Sequence, residues 1–389
     1  MKTNDTLMMH EILEQPAVLE RVAAQAVSFC ATLAGSISAR RPASIHLVGC
    51  GDMHFSACAA VALARWTRSA TACPLFAHNS MDLRWESTSL TGDDLVIVAS
   101  FSGRTPRTVE AAARAKRAGA RVIAITGNAG SLLDEYVEER DLLCLQTGPA
   151  DELDQHEYAG YHANVPQTKT YTAVLLAELL LLADLLDDGA WRDELAEIPG
   201  LTATLLRTVP ETIGSWVARS FDADRRRNLI VLGSGPWRPA AMFGAAKFLE
   251  MTIPARHQCL EEFNHLELFL TGEESLVVFL CPDRAAWTRT AELAGPYAEL
   301  GAQRLALVDG ALAEVAAIDG ADQIVLPGGP SSSARFFSTA IALQILAAAV
   351  GPACGRDIDR WVGGIRTKLI ENLSQETIRG SKILRDEVF

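Results

Sequence analysis

The chain has 389 residues, of which 49% are hydrophobic, and it carries a formal net charge of −13. This length is enough for two hydrophobic cores, and the apolar fraction is typical of packed domains. The acidic balance, with no basic block to relieve it, argues against nucleic acid and anionic membrane surfaces as partners.

The eight cysteines are scattered through mostly apolar segments without a CxxC pair, as is typical of thiols in a reducing compartment. Residues 1–6 are polar and do not resemble a signal peptide, so we expect a cytoplasmic protein. The most apolar stretch, residues 171–186, contains Glu178 and Asp184 and is short for a membrane span. We interpret it as a buried helix that would also suit a subunit interface.

The first half of the chain predicts two helical segments, residues 8–13 and 18–35, separated by Gln15-Pro16. Helices are also predicted at 52–68 and 108–119. The predicted strands are residues 45–48, 75–78, 95–100, 121–126 and 142–145. This alternation indicates a parallel sheet with helices on both faces. A polar break at 146–170 precedes long helices that continue to about residue 220.

The second half repeats the opening pattern. Asn228-Leu-Ile-Val-Leu-Gly-Ser-Gly235 resembles Ser44-Ile-His-Leu-Val-Gly-Cys-Gly51, and an alanine-rich helix follows each. Further strands are predicted at 276–280, 304–308 and 323–326, and an apolar helix at 334–349. We predict an α/β fold of two three-layer αβα sandwiches with parallel sheets, produced by internal duplication. The predicted domains are N-terminal helices at 1–40, a first sandwich at 41–190, a helical connection at 191–222 and a second sandwich with a tail at 223–389.

The first half also carries a loop suited to an anion. The β-branched run that starts at Val96 ends at Ser100-Phe-Ser-Gly-Arg-Thr105, directly before the helix at 108–119. Unpaired N–H groups at the helix start, three hydroxyls and a glycine favour a bound phosphate, to which Arg104 or Arg107 would add positive charge. An ordinary Ser/Thr helix cap is the alternative interpretation.

The second half lacks this loop and reads Phe279-Leu-Cys-Pro-Asp283 instead, so we expect one composite site beyond the carboxyl ends of the strands. Lys247 and Glu250 share one face of a helix. They are either an exposed ion pair or a partly buried one, in which burial without an equal partner pushes the glutamate toward neutrality and suits it to proton transfer. Glu261-Glu-Phe-Asn-His265 is either an acidic helix start or a general-acid cluster.

Two further groups of polar residues are a segment before a long helix and a set of histidines. The segment Asn164-Val-Pro-Gln-Thr-Lys-Thr-Tyr-Thr172 opens a long helix, which it either caps or supplements with hydrogen bonds to sugar hydroxyls. Five histidines lack metal-ligand spacing and are interpreted as structural: His46, His78, His156, His162 and His257.

These motifs resemble the tandem sugar isomerase (SIS) domain family, above all the isomerase half of glucosamine-6-phosphate synthase and the stand-alone phosphosugar isomerases. The resemblance covers nearly the whole chain, from Met9-His-Glu-Ile-Leu-Glu-Gln-Pro16 to beyond Glu262-Phe-Asn-His265. It implies that the substrate-binding residues are Gly51, Asp52, Ser100, Phe101, Ser102, Gly103, Arg104, Thr105, Val165, Gln167 and Thr168.

The resemblance also implies roles for the catalytic residues. Glu250 would move a proton between C1 and C2 of the open-chain sugar, while Lys247 holds this glutamate and stabilises developing negative charge. His265 would open the sugar ring from the neighbouring subunit of a homodimer. Lys368, with Arg366 beside it, is the approximate counterpart of the family's C-terminal lysine. No metal ion or organic cofactor is expected, because the chemistry is proton transfer.

The chain departs from the family pattern at three positions. Asp52 stands where the family often has a hydroxyl donor, Phe101 replaces a polar donor, and Lys2 stands in place of a catalytic cysteine, so we expect no glutaminase activity. We predict a phosphosugar isomerase for a hexose or aminohexose phosphate, with or without release or addition of ammonia as in SIS-type glucosamine-6-phosphate deaminases. The alternatives are a deglycase or sugar-amine lyase and a non-catalytic sugar-phosphate sensor.

Overall fold

The computed structural model describes residues 6–37, 41–67, 73–86, 89–148, 166–225, 228–312, 317–359 and 367–382. The chain divides into two compact units. The first unit comprises Ala17–Tyr161, Lys169–Ala196 and Lys368–Phe389, and the second comprises Met1–Pro16, His162–Thr168 and Glu197–Thr367. Each unit contains one five-stranded parallel sheet, which confirms the predicted α/β fold.

Helices alternate with strands in both units. The helices are α1 (Leu7–Ile37), α2 (Asp52–Thr67), α3 (Leu83–Glu86), α4 (Pro106–Arg117), α5 (Lys169–Leu185), α6 (Gly189–Ala196), α7 (Ile198–Ser220), α8 (Arg238–Glu250), α9 (Leu260–His265), α10 (Arg284–Glu299), α11 (Ser332–Ala353) and α12 (Lys368–Ser374). The strands are β1 (Ile45–Gly49), β2 (Leu75–Asn79), β3 (Leu95–Ala99), β4 (Arg121–Thr126), β5 (Leu142–Cys144), β6 (Asn228–Leu232), β7 (Ala255–Gln258), β8 (Ser275–Cys281), β9 (Gln303–Asp309) and β10 (Asp322–Leu326).

The two sheets have the same strand order. It is β2-β1-β3-β4-β5 in the first unit and β7-β6-β8-β9-β10 in the second. The corresponding strands therefore follow one another in the same sequence along the chain, as a duplication predicts. In the first unit Val48, Val96 and Val98 pack against the alanine-rich face of α4, and in the second unit Phe263, Phe279 and Tyr297 belong to the core cluster.

The predicted break between two N-terminal helices at Pro16 is wrong, because α1 runs without interruption from Leu7 to Ile37. A proline inside a helix has no N–H to donate to the carbonyl four residues earlier, here that of Ile12. The side-chain amide of Gln15 donates to this Ile12 carbonyl instead (3.2 Å) and also to Gln344 Oε1 (2.7 Å). The neighbouring glutamine thus supplies the hydrogen bond that the proline removes.

Two apolar helices lie in the interior. α5 is buried along nearly its entire length, which confirms the interpretation of residues 171–186 as a buried helix. Among the described residues one helix, α11, is long and apolar enough to cross a membrane, and 89% of its apolar window is buried within the chain. Such burial is typical of a core helix.

A chain of polar side chains runs along β1 and β2 in the first unit. Ser44 Oγ donates to Asp94 Oδ1 (2.6 Å) and lies 2.7 Å from His46 Nε2, while His46 Nδ1 lies 2.9 Å from His78 Nε2. Because an ionised carboxylate can only accept hydrogen bonds, the Ser44 hydroxyl donates its proton to Asp94, and His46 must then donate a hydrogen bond to Ser44 Oγ. His78 must then donate to His46. This order requires the His46 ring to be neutral, which agrees with its pKa, lowered to about 4 by burial and then by His78.

Candidate active site

The loop at the carboxyl end of β3 is shaped by Gly103. Its φ of +63° lies in the left-handed region, and a Cβ there would stand 2.0 Å from Ser131 Oγ. The loop is closed by the Gly103 N–H, which donates to the Ser100 carbonyl (2.9 Å), and by Asn128 Nδ2, which donates to the Ser102 carbonyl (3.1 Å). The loop position of residue 103 therefore admits glycine alone.

The hydroxyls of this loop gather at the start of α4. Ser100 Oγ donates to Thr105 Oγ1 (3.3 Å), and Ser102 Oγ accepts from the Arg104 N–H (3.3 Å). Thr105 occupies the helix N-cap position, but its side chain makes no capping hydrogen bond. The alternative interpretation as an ordinary Ser/Thr cap is therefore wrong for Thr105.

The helix start offers fewer backbone donors than predicted. α4 begins at Pro106, which has no N–H, and the Thr108 N–H donates to the Thr105 carbonyl (3.0 Å). The expectation that several unpaired N–H groups face one crevice is thus wrong for these two residues. The hydroxyl side chains and the loop backbone are left as the main donors that the described loop can present to an anion.

Phe101 and Arg104, which lie between the hydroxyl residues in sequence, differ in exposure. Phe101 is buried, and its ring packs on Gly127, where a Cβ would stand 2.4 Å from the ring. Arg104 is exposed at the tip of the loop. Arg107, the other candidate cation, forms an ion pair with Glu110 and donates to Ser381 Oγ (3.0 Å) and to the carbonyl of Lys382. Arg104 is therefore the cation that the loop itself carries to the surface.

The predicted Gly-Cys-Gly turn follows β1. Gly51 has a φ of +56°, and Asp52 begins α2 with its side chain half-buried. At Gly49 a Cβ would stand 2.5 Å from the Met53 backbone, so glycine permits the close approach of strand and helix. Burial, and then the charges of Asp52 and Glu178, raise the pKa of Tyr171 well above its usual value. Asp52 is thus close enough for its charge to raise the pKa of the buried Tyr171 hydroxyl.

Glu178 is an ionisable residue beneath this turn that the site prediction missed. It lies fully buried on α5, and Ser56 Oγ donates to its Oε2 (2.5 Å). Among the described residues its Oε1 has no hydrogen-bond partner. Burial raises the pKa of Glu178 from 4.5 to about 8, so the group is protonated at neutral pH. The signal in the sequence is a glutamate inside an otherwise apolar stretch.

In the second unit the structure brings Lys247, Glu250 and Gln167 together. Lys247 is fully buried, and its Nζ lies 2.9 Å from Glu250 Oε2 and donates to the Gln167 carbonyl (2.9 Å). The Phe243 ring lies below the ammonium, with its centroid 4.9 Å from Nζ. The interpretation as an exposed ion pair is therefore wrong for Lys247. Glu250, the last residue of α8, keeps 24% of its side chain exposed.

This contact gives Glu250 a charged partner. The prediction that burial pushes the glutamate toward neutrality applies to a glutamate without an equal partner, whereas here the buried ammonium of Lys247 compensates the carboxylate charge. A carboxylate held by an ammonium on one side and open to the surface on the other is charge-compensated and oriented. A general base requires such an oriented group.

His265 ends α9 and is exposed. Three apolar side chains follow it on the surface of the second unit: Leu266, Phe269 and Leu270, which are 56%, 82% and 66% exposed. Glu261 and Glu262 are exposed in the first turn of α9. The motif is thus an acidic helix start, and its histidine is accessible to solvent.

The remaining predicted residues are distributed as follows. Val165 and Arg366 lie outside the described residues. Thr168 is buried in the second unit, where its hydroxyl donates to Glu11 Oε2 (3.2 Å), and Gln167 is half-buried. Lys368 is the first residue of α12 in the first unit and is exposed. The ligand-binding and catalytic roles assigned to these residues stay predictions.

In the second unit a side chain of the chain itself fills the position that corresponds to the anion loop, residues 100–105, of the first unit. Asp283 follows β8 as the N-cap of α10, and its Oδ1 accepts from the Ala286 N–H (2.9 Å). Its Oδ2 accepts from the indole N–H of Trp237 (2.7 Å), a buried ring stacked on Phe336. A carboxylate of the chain itself therefore occupies this helix start. Among the described residues no group of three or more His, Cys, Asp or Glu could hold a metal ion.

Residues 39–179 match the SIS domain family. Over 374 residues the chain is 26% identical to a glutamine–fructose-6-phosphate aminotransferase (isomerizing) of Chlamydia muridarum, covering 92% of this chain and 57% of that protein. The chain thus spans little more than half the length of this curated relative.

Two solved structures share the fold. The C-terminal domain of glucosamine-fructose-6-phosphate aminotransferase from Francisella tularensis superimposes with a TM-score of 0.74 at 21% identity, covering 92% of this chain and 98% of that one. Tagatose-6-phosphate ketose/aldose isomerase from Escherichia coli gives a TM-score of 0.72 at 20% identity, with 94% and 98% covered.

Proposed function

Because residues 39–179 match the SIS domain family, we propose that this chain is a phosphosugar isomerase. The proposed reaction moves a proton between C1 and C2 of a hexose or aminohexose phosphate. Similarity to an isomerizing fructose-6-phosphate aminotransferase and to a tagatose-6-phosphate ketose/aldose isomerase supports a six-carbon sugar phosphate as substrate.

In this proposal the first unit binds the phosphate. The hydroxyls of Ser100, Ser102 and Thr105 converge at the start of α4, and Arg104 carries a positive charge at the same loop. Hydrogen bonds from hydroxyls to an anion are stronger than those between neutral groups. The hydroxyl of the N-cap Thr105 makes no capping hydrogen bond and accepts from Ser100 Oγ, which supports this role.

The observation that carries the proposal is the Lys247–Glu250 pair in the second unit. An ionised Glu250 removes the proton from C2 of the open-chain aldose, which leaves an enediolate. It then returns this proton to C1 while the hydroxyl proton on O2 moves to O1, which gives the ketose. Lys247 keeps the carboxylate charged and fixes its orientation through the second contact to the Gln167 carbonyl. An aminohexose would pass through the corresponding enolamine to a C2 imine, which water hydrolyses to the ketose and ammonia.

We also propose that the protein works as a homodimer in which His265 serves the neighbouring subunit by opening the sugar ring. The exposed residues Leu266, Phe269 and Leu270 support this arrangement, because an apolar surface next to a functional residue is typical of a protein interface. Replacing Phe269 with Asp should convert a dimer into monomers in light scattering. A wild-type monomer at micromolar concentration would contradict the dimer.

The activity is tested by incubating the protein with hexose and aminohexose 6-phosphates, with and without ammonia, and measuring ketose, aldose and ammonia. Glu250→Gln should abolish turnover and leave ligand binding measurable. Glu299→Gln is the matched control, because Glu299 is also the last residue of its helix and is exposed. Unchanged turnover in Glu250→Gln would refute the assignment. A ligand that raises the unfolding temperature but is never converted would favour the non-catalytic sensor.

A further inference from the structure

The six-residue helix α9 depends on α10 for its position. A helix of this length is unstable by itself, so its geometry is set by the contacts that it makes. Both helices lie in the second unit, and α10 contacts α9 at two points about two helical turns apart. These two contacts fix the helix whose last residue is His265.

The first contact is a salt bridge at the start of α9. Arg289 donates to both carboxylate oxygens of Glu261, with Nε to Oε1 at 2.6 Å and Nη2 to Oε2 at 3.0 Å. Arg289 also pairs with Glu292 on its own helix (2.6 Å). Because the pair is exposed, it adds little to stability, but its bidentate geometry restricts the angle of the helix start.

The second contact lies next to His265. The Tyr297 hydroxyl donates to Asn264 Oδ1, and Asn264 Nδ2 donates to the Leu260 carbonyl (2.6 Å). Burial, followed by the charge of Glu261, raises the pKa of Tyr297 to about 12 against the lowering effect of Arg289, so the hydroxyl keeps its proton. The Phe263 ring meets the Tyr297 ring edge-on, with the centroids 5.1 Å apart. Every polar atom of the Asn264 side chain is thus held by a named partner.

We propose that Tyr297 is a positioning residue that orients His265 through Asn264. This inference rests on the proposed ring-opening role of His265. The side-chain amide of Asn264, the residue directly before His265, is fixed at both ends: its Oδ1 accepts from the Tyr297 hydroxyl, and its Nδ2 donates to the Leu260 carbonyl. The exposed imidazole therefore projects from a helix end whose rotation is set by the buried tyrosine.

The test compares two substrates in the Tyr297→Phe variant, which keeps the ring packed on Phe263 and removes only the hydroxyl. Fructose 6-phosphate must be opened by the enzyme, whereas 5-deoxyfructose 6-phosphate lacks the hydroxyl that closes the ring. Loss of one hydrogen bond should lower kcat/KM for fructose 6-phosphate about three- to tenfold and leave the open-chain substrate within about twofold. Equal losses on both substrates would overturn the inference. Tyr136→Phe, in the first unit, is the control.

A second measurement does not depend on turnover. The amide of Phe263 donates to the Cys259 carbonyl and that of Leu266 to the Glu262 carbonyl (both 3.0 Å). Hydrogen exchange at these amides should accelerate about three- to tenfold in Tyr297→Phe, and unchanged exchange would overturn the positioning role. If the wild type converts neither substrate, the proposed function fails, and the exchange rates alone decide whether Tyr297 holds α9.

Discussion

Replacing Glu178 with Gln should make the protein more stable in alkaline solution. The folded chain binds the Glu178 proton up to a pH of about 8, whereas the unfolded chain releases it near the usual pKa of 4.5. Because the folded state holds more protons in this window, stability falls as the pH rises from 4.5 to 8. At about 1.4 kcal/mol per pH unit the loss is on the order of 5 kcal/mol at pH 9 and about 3 kcal/mol at pH 7.

Glutamine cannot ionise in either state, so Glu178→Gln should recover this free energy at pH 7–9 and nothing at pH 4. The amide still offers an oxygen to Ser56, and any cost of its unpaired N–H group is independent of pH and on the order of 1–3 kcal/mol. Urea unfolding between pH 5 and pH 9, followed by the fluorescence of the buried Trp191, measures the difference. Glu211→Gln, an exposed substitution on α7, is the control. Stability curves of wild type and variant that run parallel over this range would refute the reasoning.

Two other substitutions test the first unit. Gly103→Ala should abolish binding of fructose 6-phosphate in calorimetry, because the Cβ of the new alanine would stand 2.0 Å from Ser131 Oγ. Gly130→Ala is the control: Gly130 also has a positive φ but has open space around it, so this variant should retain binding. Equal affinities of the two variants would contradict this. Burial and the neighbouring His78 lower the pKa of His46 to about 4, so stability should fall as the pH drops from 6.5 to 4. His46→Gln should flatten that fall in thermal unfolding by about 1–2 kcal/mol, because the ring is partly exposed and solvent screens the effect. An unaltered slope would count against it.

The regular elements of this fold were accessible from sequence because they depend on local patterns. The strands begin in apolar, β-branched runs, and the two Gly-x-Gly turns at Gly51 and Gly235 both have positive φ. The pair Lys247 and Glu250 could likewise be placed on one helix face by spacing alone. Patterns of this kind involve residues within a few positions of each other, which is why they are predictable.

Contacts between distant residues explain what the sequence could not predict. Pro16 signalled a helix end, but the Gln15 amide, itself fixed by Gln344, replaces the lost hydrogen bond. The sequence predicts Lys247 at the surface or partly buried, but it is fully buried. Its ammonium donates a hydrogen bond to the carbonyl of Gln167, which is 80 residues away in sequence. Ser56 meets Glu178 across 122 residues. No local pattern encodes such partners.

The carboxylate of Asp283 occupies the position in the second unit that corresponds to the proposed anion loop of the first unit. A phosphate at the start of α10 would have to displace a charge that the chain itself supplies, together with its bonds to Ala286 and Trp237. If the first-unit loop binds the phosphate as proposed, the second unit therefore adds no equivalent site at α10. A titration with fructose 6-phosphate should saturate at one equivalent per polypeptide. A second equivalent at the start of α10 would require Asp283 to break its N-cap hydrogen bond.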